Sequence, residues 1–169
     1  MSSYDRSTRA CTFEELQPVL LRAMRAYFSQ HELTDVETQI LNCCETISVR
    51  KESGALGTLF EENRDQVYYL AAFLTPEWLV WARSGDHTET VVVAAKLIAI
   101  HVRQYTSLRT KDLGIEIEGF VDGSFTKIHG NIIFGQEPAA EEFCNVVEQA
   151  VKSVNPPRRL LDLFGKVPR

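Results

Sequence analysis

Apolar and polar side chains alternate along much of the middle of the chain. The alternation is clearest at residues 115–118, where isoleucine and glutamate alternate. A period of two is typical of a strand with one buried face. The most apolar stretch is residues 66–83, which Pro76 interrupts. Because proline favours a turn and cannot donate a ladder hydrogen bond in mid-strand, we predict a β-hairpin there.

The same pattern predicts further strands on both sides of the hairpin. For residues 39–50, the capping-box spacing of Thr34 and Glu37 favours a helix, whereas the β-branched residues that follow favour a strand, and we predict the strand. Residues 52–65 contain two glycines between polar ends and are predicted as a loop. The other predicted strands are residues 90–95, 98–103, 115–120 and 126–134, which makes seven with the hairpin.

A helix is predicted before the strands. Thr12 and Glu15 have capping-box spacing, and Pro18 requires either a kink or a helix whose main body begins at residue 17 or 18. One face of this helix would pair between subunits or pack on the chain's own sheet, and we predict the second. That face consists of Leu16, Leu20, Ala23 and Tyr27. The polar residues 1–11 are predicted to be loose.

A second helix is predicted after the strands. It opens near Pro138 and ends before the double proline at residues 156–157. Phe143, Val147 and Val151 recur on one of its faces at helical spacing. This helix is therefore predicted to cover one end of the sheet.

Composition narrows the class of protein. The chain has 169 residues, 44% of them hydrophobic, which is typical of one globular domain. Its net charge of −5 argues against a non-specific nucleic-acid binder. The four cysteines form no C-x-x-C pair, so we predict reduced thiols. With no apolar run of transmembrane length and no apolar leader, we expect a cytoplasmic protein.

The order of elements resembles the bacterial branch of the pleckstrin-homology (PH)-like fold. The resemblance covers about residues 37–154. It implies an α+β, mainly β fold in which a seven-stranded antiparallel, partly open barrel or sandwich is capped by a C-terminal helix. Residues 1–36 would then be a helical extension and residues 155–169 a tail. The stretches that carry the resemblance are ETISVRKESGALGTLF, DQVYYLAAFLTPEWLVWARSG and EPAAEEFCNVVEQAV.

The resemblance also implies a candidate phosphate-binding rim. In lipid-binding PH domains, basic residues at the end of the first strand and the start of the second hold inositol phosphates. The matching positions are Arg50, Lys51 and Arg64, with Arg83 near them if its strand ends at the same rim. Four acidic residues lie in the same segment, so the alternative is a charged rim whose residues pair with one another.

Two apolar clusters are candidate interaction sites. Leu56, Leu59 and Phe60 form a tip that would enter a partner groove or a bilayer interface, or else fold back over the barrel. The second cluster would dock on another protein or another copy, or else pack on its own domain. It consists of Leu160, Leu161, Leu163 and Phe164.

Catalysis has no sequence signature in this chain. The four histidines are scattered, and no metal-ligand spacing or phosphate loop occurs. We therefore expect no enzyme and no cofactor. The first hypothesis is a non-catalytic interaction module that binds a protein or peptide partner or associates with itself. The alternatives are a peripheral membrane adaptor that binds anionic lipid, and a small-molecule binder or enzyme with a pocket near Tyr68, Tyr69 or His101.

Overall fold

The computed structural model describes residues 4–51, 66–120 and 127–155, which form two antiparallel sheets and two helices. The helices are α1 (Pro18–Gln30) and α2 (Pro138–Val154). The fold is therefore mainly β, as the sequence pattern predicts. The strands are β1 (Tyr4–Ala10), β2 (Asn42–Arg50), β3 (Val67–Leu74), β4 (Trp78–Gly85), β5 (Val91–Lys96), β6 (Ile100–Thr106), β7 (Leu113–Phe120) and β8 (Lys127–Ile133).

Every strand pairs with its neighbour in the chain except where the two sheets separate. The large sheet has the order β1-β2-β3-β4-β5 and the small sheet the order β6-β7-β8. The predicted hairpin is β3–β4, and Thr75 closes its turn. The Thr75 N–H donates to the Trp78 carbonyl at 2.9 Å, and its hydroxyl oxygen accepts from the Trp78 N–H at 2.9 Å.

Strand β1 corrects the prediction that the first residues are loose. It pairs along its whole length with β2, from Tyr4 opposite Arg50 to Ala10 opposite Cys44. The Thr8 and Thr46 hydroxyls lie 2.9 Å apart in a buried cross-strand pair. The polar composition concealed the strand because only one of its residues, Thr8, is fully buried. The described residues thus contain eight strands, one more than predicted.

The inner face of the large sheet packs against the small sheet and α2. Leu70 and Trp81 from the large sheet share a core with Ile115 and Ile117 from the small one. Helix α2 contacts β1, β2, β6 and β7. Its buried residues are Ala140, Phe143, Cys144, Val147 and Val151. The predicted apolar face is therefore confirmed, and α2 fills the core between the two sheets.

The outer face of the large sheet is covered by α1. Pro18 is the first residue of this helix, where its missing N–H leaves no hydrogen bond unmade. Leu20, Met24 and Phe28 are buried against β3, β4 and β5, so the prediction that the helix packs on its own sheet is confirmed. Two residues of the predicted seam, Ala23 and Tyr27, are only half-buried.

The start and the end of β6 differ from the prediction. Ile98, the first residue of the predicted strand 98–103, is 68% exposed. It lies in a short 3-10 turn, Leu97–Ala99, where the Leu97 N–H donates to the Glu77 carbonyl at 2.8 Å and Leu97 is buried instead. The strand then continues to Thr106, beyond the predicted end at residue 103, because its last residues pair with the start of β7.

Candidate functional site

A cleft of about 630 Å³ lies between the inner face of the large sheet and strand β8. It is at the end of the sheet where β2 and β4 finish and β3 and β5 begin. The described residues that line it are Tyr4, Arg6, Ser48, Tyr68, Leu70, Trp81, Arg83, Val91, Val93, Lys127, Ile128, His129, Gly130, Asn131 and Ile133.

The floor of the cleft is one face of the large sheet. Each of its strands contributes either a single residue or two residues separated by one position, such as Tyr68 and Leu70 of β3. Since successive side chains of a strand point to opposite faces, such spacing means that side chains of a single face form the floor. Leu70 lies directly opposite Arg83 in the register, so apolar and basic side chains are adjacent there.

The wall of the cleft is the edge of β8 rather than its face. Five consecutive residues, Lys127 to Asn131, line the cavity, which alternating side chains alone would not produce. Among the described residues, β8 pairs only with β7. The Phe134 N–H points toward β7, because it donates to the Leu113 carbonyl at 2.8 Å. Successive N–H groups of an antiparallel strand point alternately toward and away from the partner strand. The N–H groups of His129 and Asn131 therefore point away from β7, toward the cleft.

Gly130 allows β8 to approach the floor. A Cβ atom at this position would lie 2.9 Å from Cζ2 of Trp81, which is closer than carbon atoms pack. The glycine therefore brings the β8 backbone against the Trp81 ring. Tyr105 holds the next residue in place, because its hydroxyl donates to Oδ1 of Asn131 at 2.5 Å. Burial raises the pKa of the Tyr105 phenol.

The cleft is basic in a chain whose net charge is −5. Its described lining includes Arg6, Arg83 and Lys127 and no acidic residue. Arg6 forms an ion pair with Asp112 at 2.6 Å. The exposed side chains of Arg83 and Lys127 make no hydrogen bond or ion pair with other described residues. They are therefore available to an anionic ligand.

The structure brings only part of the predicted phosphate rim together. Arg50 ends β2 on the inner face, opposite Tyr4, and lies next to the cleft without lining it. Lys51 forms a surface ion pair with Asp5 at 2.7 Å. Arg83 is at the same end of the sheet, as expected for a shared rim. The other candidates, Leu56, Leu59, Phe60, Arg64, Leu160, Leu161, Leu163 and Phe164, lie outside the described residues.

Sequence reasoning missed several residues of the cleft. Tyr4 and Arg6 were missed because residues 1–11 were predicted to be loose, and Lys127 because nothing in the predicted strand 126–134 marks it as part of a site. Gly130 was missed because nothing local marks the approach of Trp81. The spacing of Tyr4, Arg6 and Thr8, with polar residues between them, is the one signal that would have indicated β1.

Comparisons with protein-family models, curated proteins and solved structures give no match for this chain. Within the described ranges, no cluster of three or more histidine, cysteine, aspartate or glutamate side chains is placed to hold a metal ion. No helix in those ranges has the length and apolar character needed to cross a bilayer. Function is therefore inferred from the geometry of the cleft.

Proposed function

We propose that this protein is a PH-like, non-catalytic interaction module that binds an extended segment of a partner protein in the cleft, as an added strand on β8. The order of elements after β1 supports the PH-like part of the proposal, because four strands of one sheet are followed by three of another and then by a helix. The observation that carries the binding proposal is the strand edge that forms the cleft wall.

An open strand edge is a template for another chain. Its N–H and C=O groups can pair with an extended peptide, while pockets for alternate side chains give specificity. An added strand would lie about 4.8 Å from β8. Its alternate side chains would then face Leu70, Trp81 and Val93 on the floor.

The charge of the cleft indicates the kind of segment that fits. Arg83 and Lys127 flank the space with no acidic residue in the described lining, and guanidinium and ammonium groups form charge-assisted hydrogen bonds with carboxylates. We therefore propose a partner segment in which apolar residues alternate with aspartate or glutamate.

A small amphipathic anion is the second candidate occupant. The cleft volume of about 630 Å³ is within the range of small-molecule sites, and Tyr68 lines it. Of the three residues that the small-molecule hypothesis named, Tyr68 lines the cleft, whereas Tyr69 and His101 do not. An extended peptide fits better because it would also satisfy the backbone groups of the β8 edge.

The test begins with selection of random peptides on the immobilised full chain. We expect the selected peptides to alternate apolar and acidic residues and to lack proline at the centre, since proline cannot donate to a ladder. Selection of no peptide, or of basic peptides, would contradict the proposal.

The selected peptide then distinguishes pairing with the β8 edge from contact with side chains. We expect His129→Pro to weaken its binding about tenfold or more, and His129→Ala to leave it within about threefold. The two variants lose the same side chain, but only proline removes the N–H that points into the cleft. Calorimetric titration measures both affinities, and equal affinities would contradict strand addition.

Reversal of a charge in the cleft tests whether the basic residues bind the peptide. We expect Arg83→Glu to weaken peptide binding about fivefold to tenfold at low salt, and less at high salt because of screening. Arg22→Glu is the control, since Arg22 is an exposed residue of α1 on the other side of the large sheet.

Dodecanoate, a linear carboxylate, is titrated in parallel to test the second candidate occupant. Dodecanoate binding that Arg83→Glu abolishes, with no peptide selected, would establish the second candidate instead.

A further inference from the structure

We propose that Cys11 and Cys43 are a thiol pair that a hydroperoxide oxidises to an intramolecular disulfide, which joins β1 covalently to β2. The inference is independent of what the cleft binds. It depends on the position of the two residues where the β1–β2 pairing ends.

The backbone holds the two residues opposite each other. The Cys11 N–H donates to the Cys43 carbonyl at 3.1 Å, one residue beyond the pairing of Ala10 with Cys44. Hydrogen-bonded antiparallel pairs have Cα atoms about 5.5 Å apart, which is within the range that disulfides bridge. The two sulfur atoms are 3.9 Å apart, so rotation of the side chains brings them to bonding distance without movement of the strands.

The surroundings select Cys11 as the sulfur that reacts first. Cys11 is half-buried, and the hydrogen bond from Cys43 together with the Arg9 guanidinium lowers the pKa of its thiol. Desolvation and the Glu15 and Glu45 carboxylates act in the opposite direction. Thiolates rather than thiols attack peroxides.

The two other cysteines are out of reach of Cys11. Burial raises the pKa of the Cys44 thiol, and burial raises the pKa of Cys144 to about 12. Both belong to the core on the inner face of the large sheet, whereas Cys43 belongs to the core under α1. The sheet itself therefore separates Cys44 from Cys11.

The proposed reaction consumes one hydroperoxide. The Cys11 thiolate attacks a peroxide oxygen, the O–O bond breaks, and Cys11 becomes a sulfenic acid while the other oxygen leaves as hydroxide or alkoxide. The Cys43 sulfur then attacks the Cys11 sulfur and displaces its hydroxyl. The displaced group takes the Cys43 proton and leaves as water. The two thiols give two electrons, and the peroxide is reduced.

The bond would secure the strand that forms one side of the cleft. Strand β1 carries Tyr4 and Arg6, which line the cleft. The Thr8 hydroxyl oxygen accepts a hydrogen bond from the Gly135 N–H at 2.7 Å. Cys11 and Cys43 are 32 residues apart, and closing a loop of that length restricts the unfolded chain. We expect the disulfide to raise the Tm by about 5–10 °C.

The experiment treats the folded full chain with hydrogen peroxide, alkylates the remaining thiols after unfolding, and maps peptides without reduction. We expect one reversible crosslink between Cys11 and Cys43, assigned by fragment ions that separate Cys43 from Cys44. Dithiothreitol should remove it together with the Tm increase. The crosslink should persist in Cys144→Ala and disappear in Cys11→Ser.

Four results would overturn the proposal. They are a Cys11 that is recovered only as sulfinic acid, a dimer joined through Cys11, a crosslink that involves Cys44, and four alkylated thiols after treatment. Circular dichroism of Cys11→Ser, compared with the unchanged chain, verifies that loss of the crosslink does not come from misfolding.

Discussion

Replacing Phe73 with alanine is expected to lower the free energy of unfolding by about 3–5 kcal/mol. Phe73 is fully buried on the outer face of the large sheet. Its ring meets those of Phe13 and Phe28 edge-on, with centroids 5.6 and 6.0 Å away. The substitution therefore removes part of the apolar contact between α1 and the sheet and leaves a cavity there.

Urea unfolding followed by circular dichroism measures this loss. Phe120→Ala is the matched control, because Phe120 is 57% exposed on the small sheet and its truncation should cost less than about 0.5 kcal/mol. Equal losses from the two variants would mean that α1 does not pack on the large sheet as described.

Replacing Glu45 with alanine is expected to lower the free energy of unfolding by about 2–4 kcal/mol. The Glu45 side chain is fully buried. One carboxylate oxygen accepts from Arg9 at 2.9 Å, and the other accepts the Gln17 N–H at 2.6 Å. The carboxylate therefore joins β1, β2 and the start of α1, and its removal leaves both donors without this acceptor.

The same unfolding experiment tests Glu45→Ala against a surface ion pair. Glu116 pairs with Arg103 on the small sheet, and Glu116→Ala should cost at most about 1 kcal/mol because solvent screens exposed pairs. If Glu45→Ala were no more costly than Glu116→Ala, Glu45 would not be the junction of these three elements.

Part of the cleft could be predicted from sequence. The β3–β4 hairpin was evident because a short turn interrupts a very apolar stretch, and a hairpin necessarily brings Tyr68 close to Arg83. The cleft itself could not be predicted, because it requires that β8 have an open edge. Whether a strand has a neighbour is a property of the whole sheet, and the local alternation of side chains is the same for an edge strand and a central one.

Elements whose signals are local could be predicted from the amino-acid sequence. Alternation marked β7, proline marked the hairpin turn, and helical spacing marked the buried face of α2, because each depends on residues within a few positions of one another. The strand at polar residues 4–10 and the contact of Cys11 with Cys43 became evident only from the folded chain. The physical reason is that these features depend on partners far away in the chain. Thr8, for example, donates its N–H to Glu137, 129 residues later.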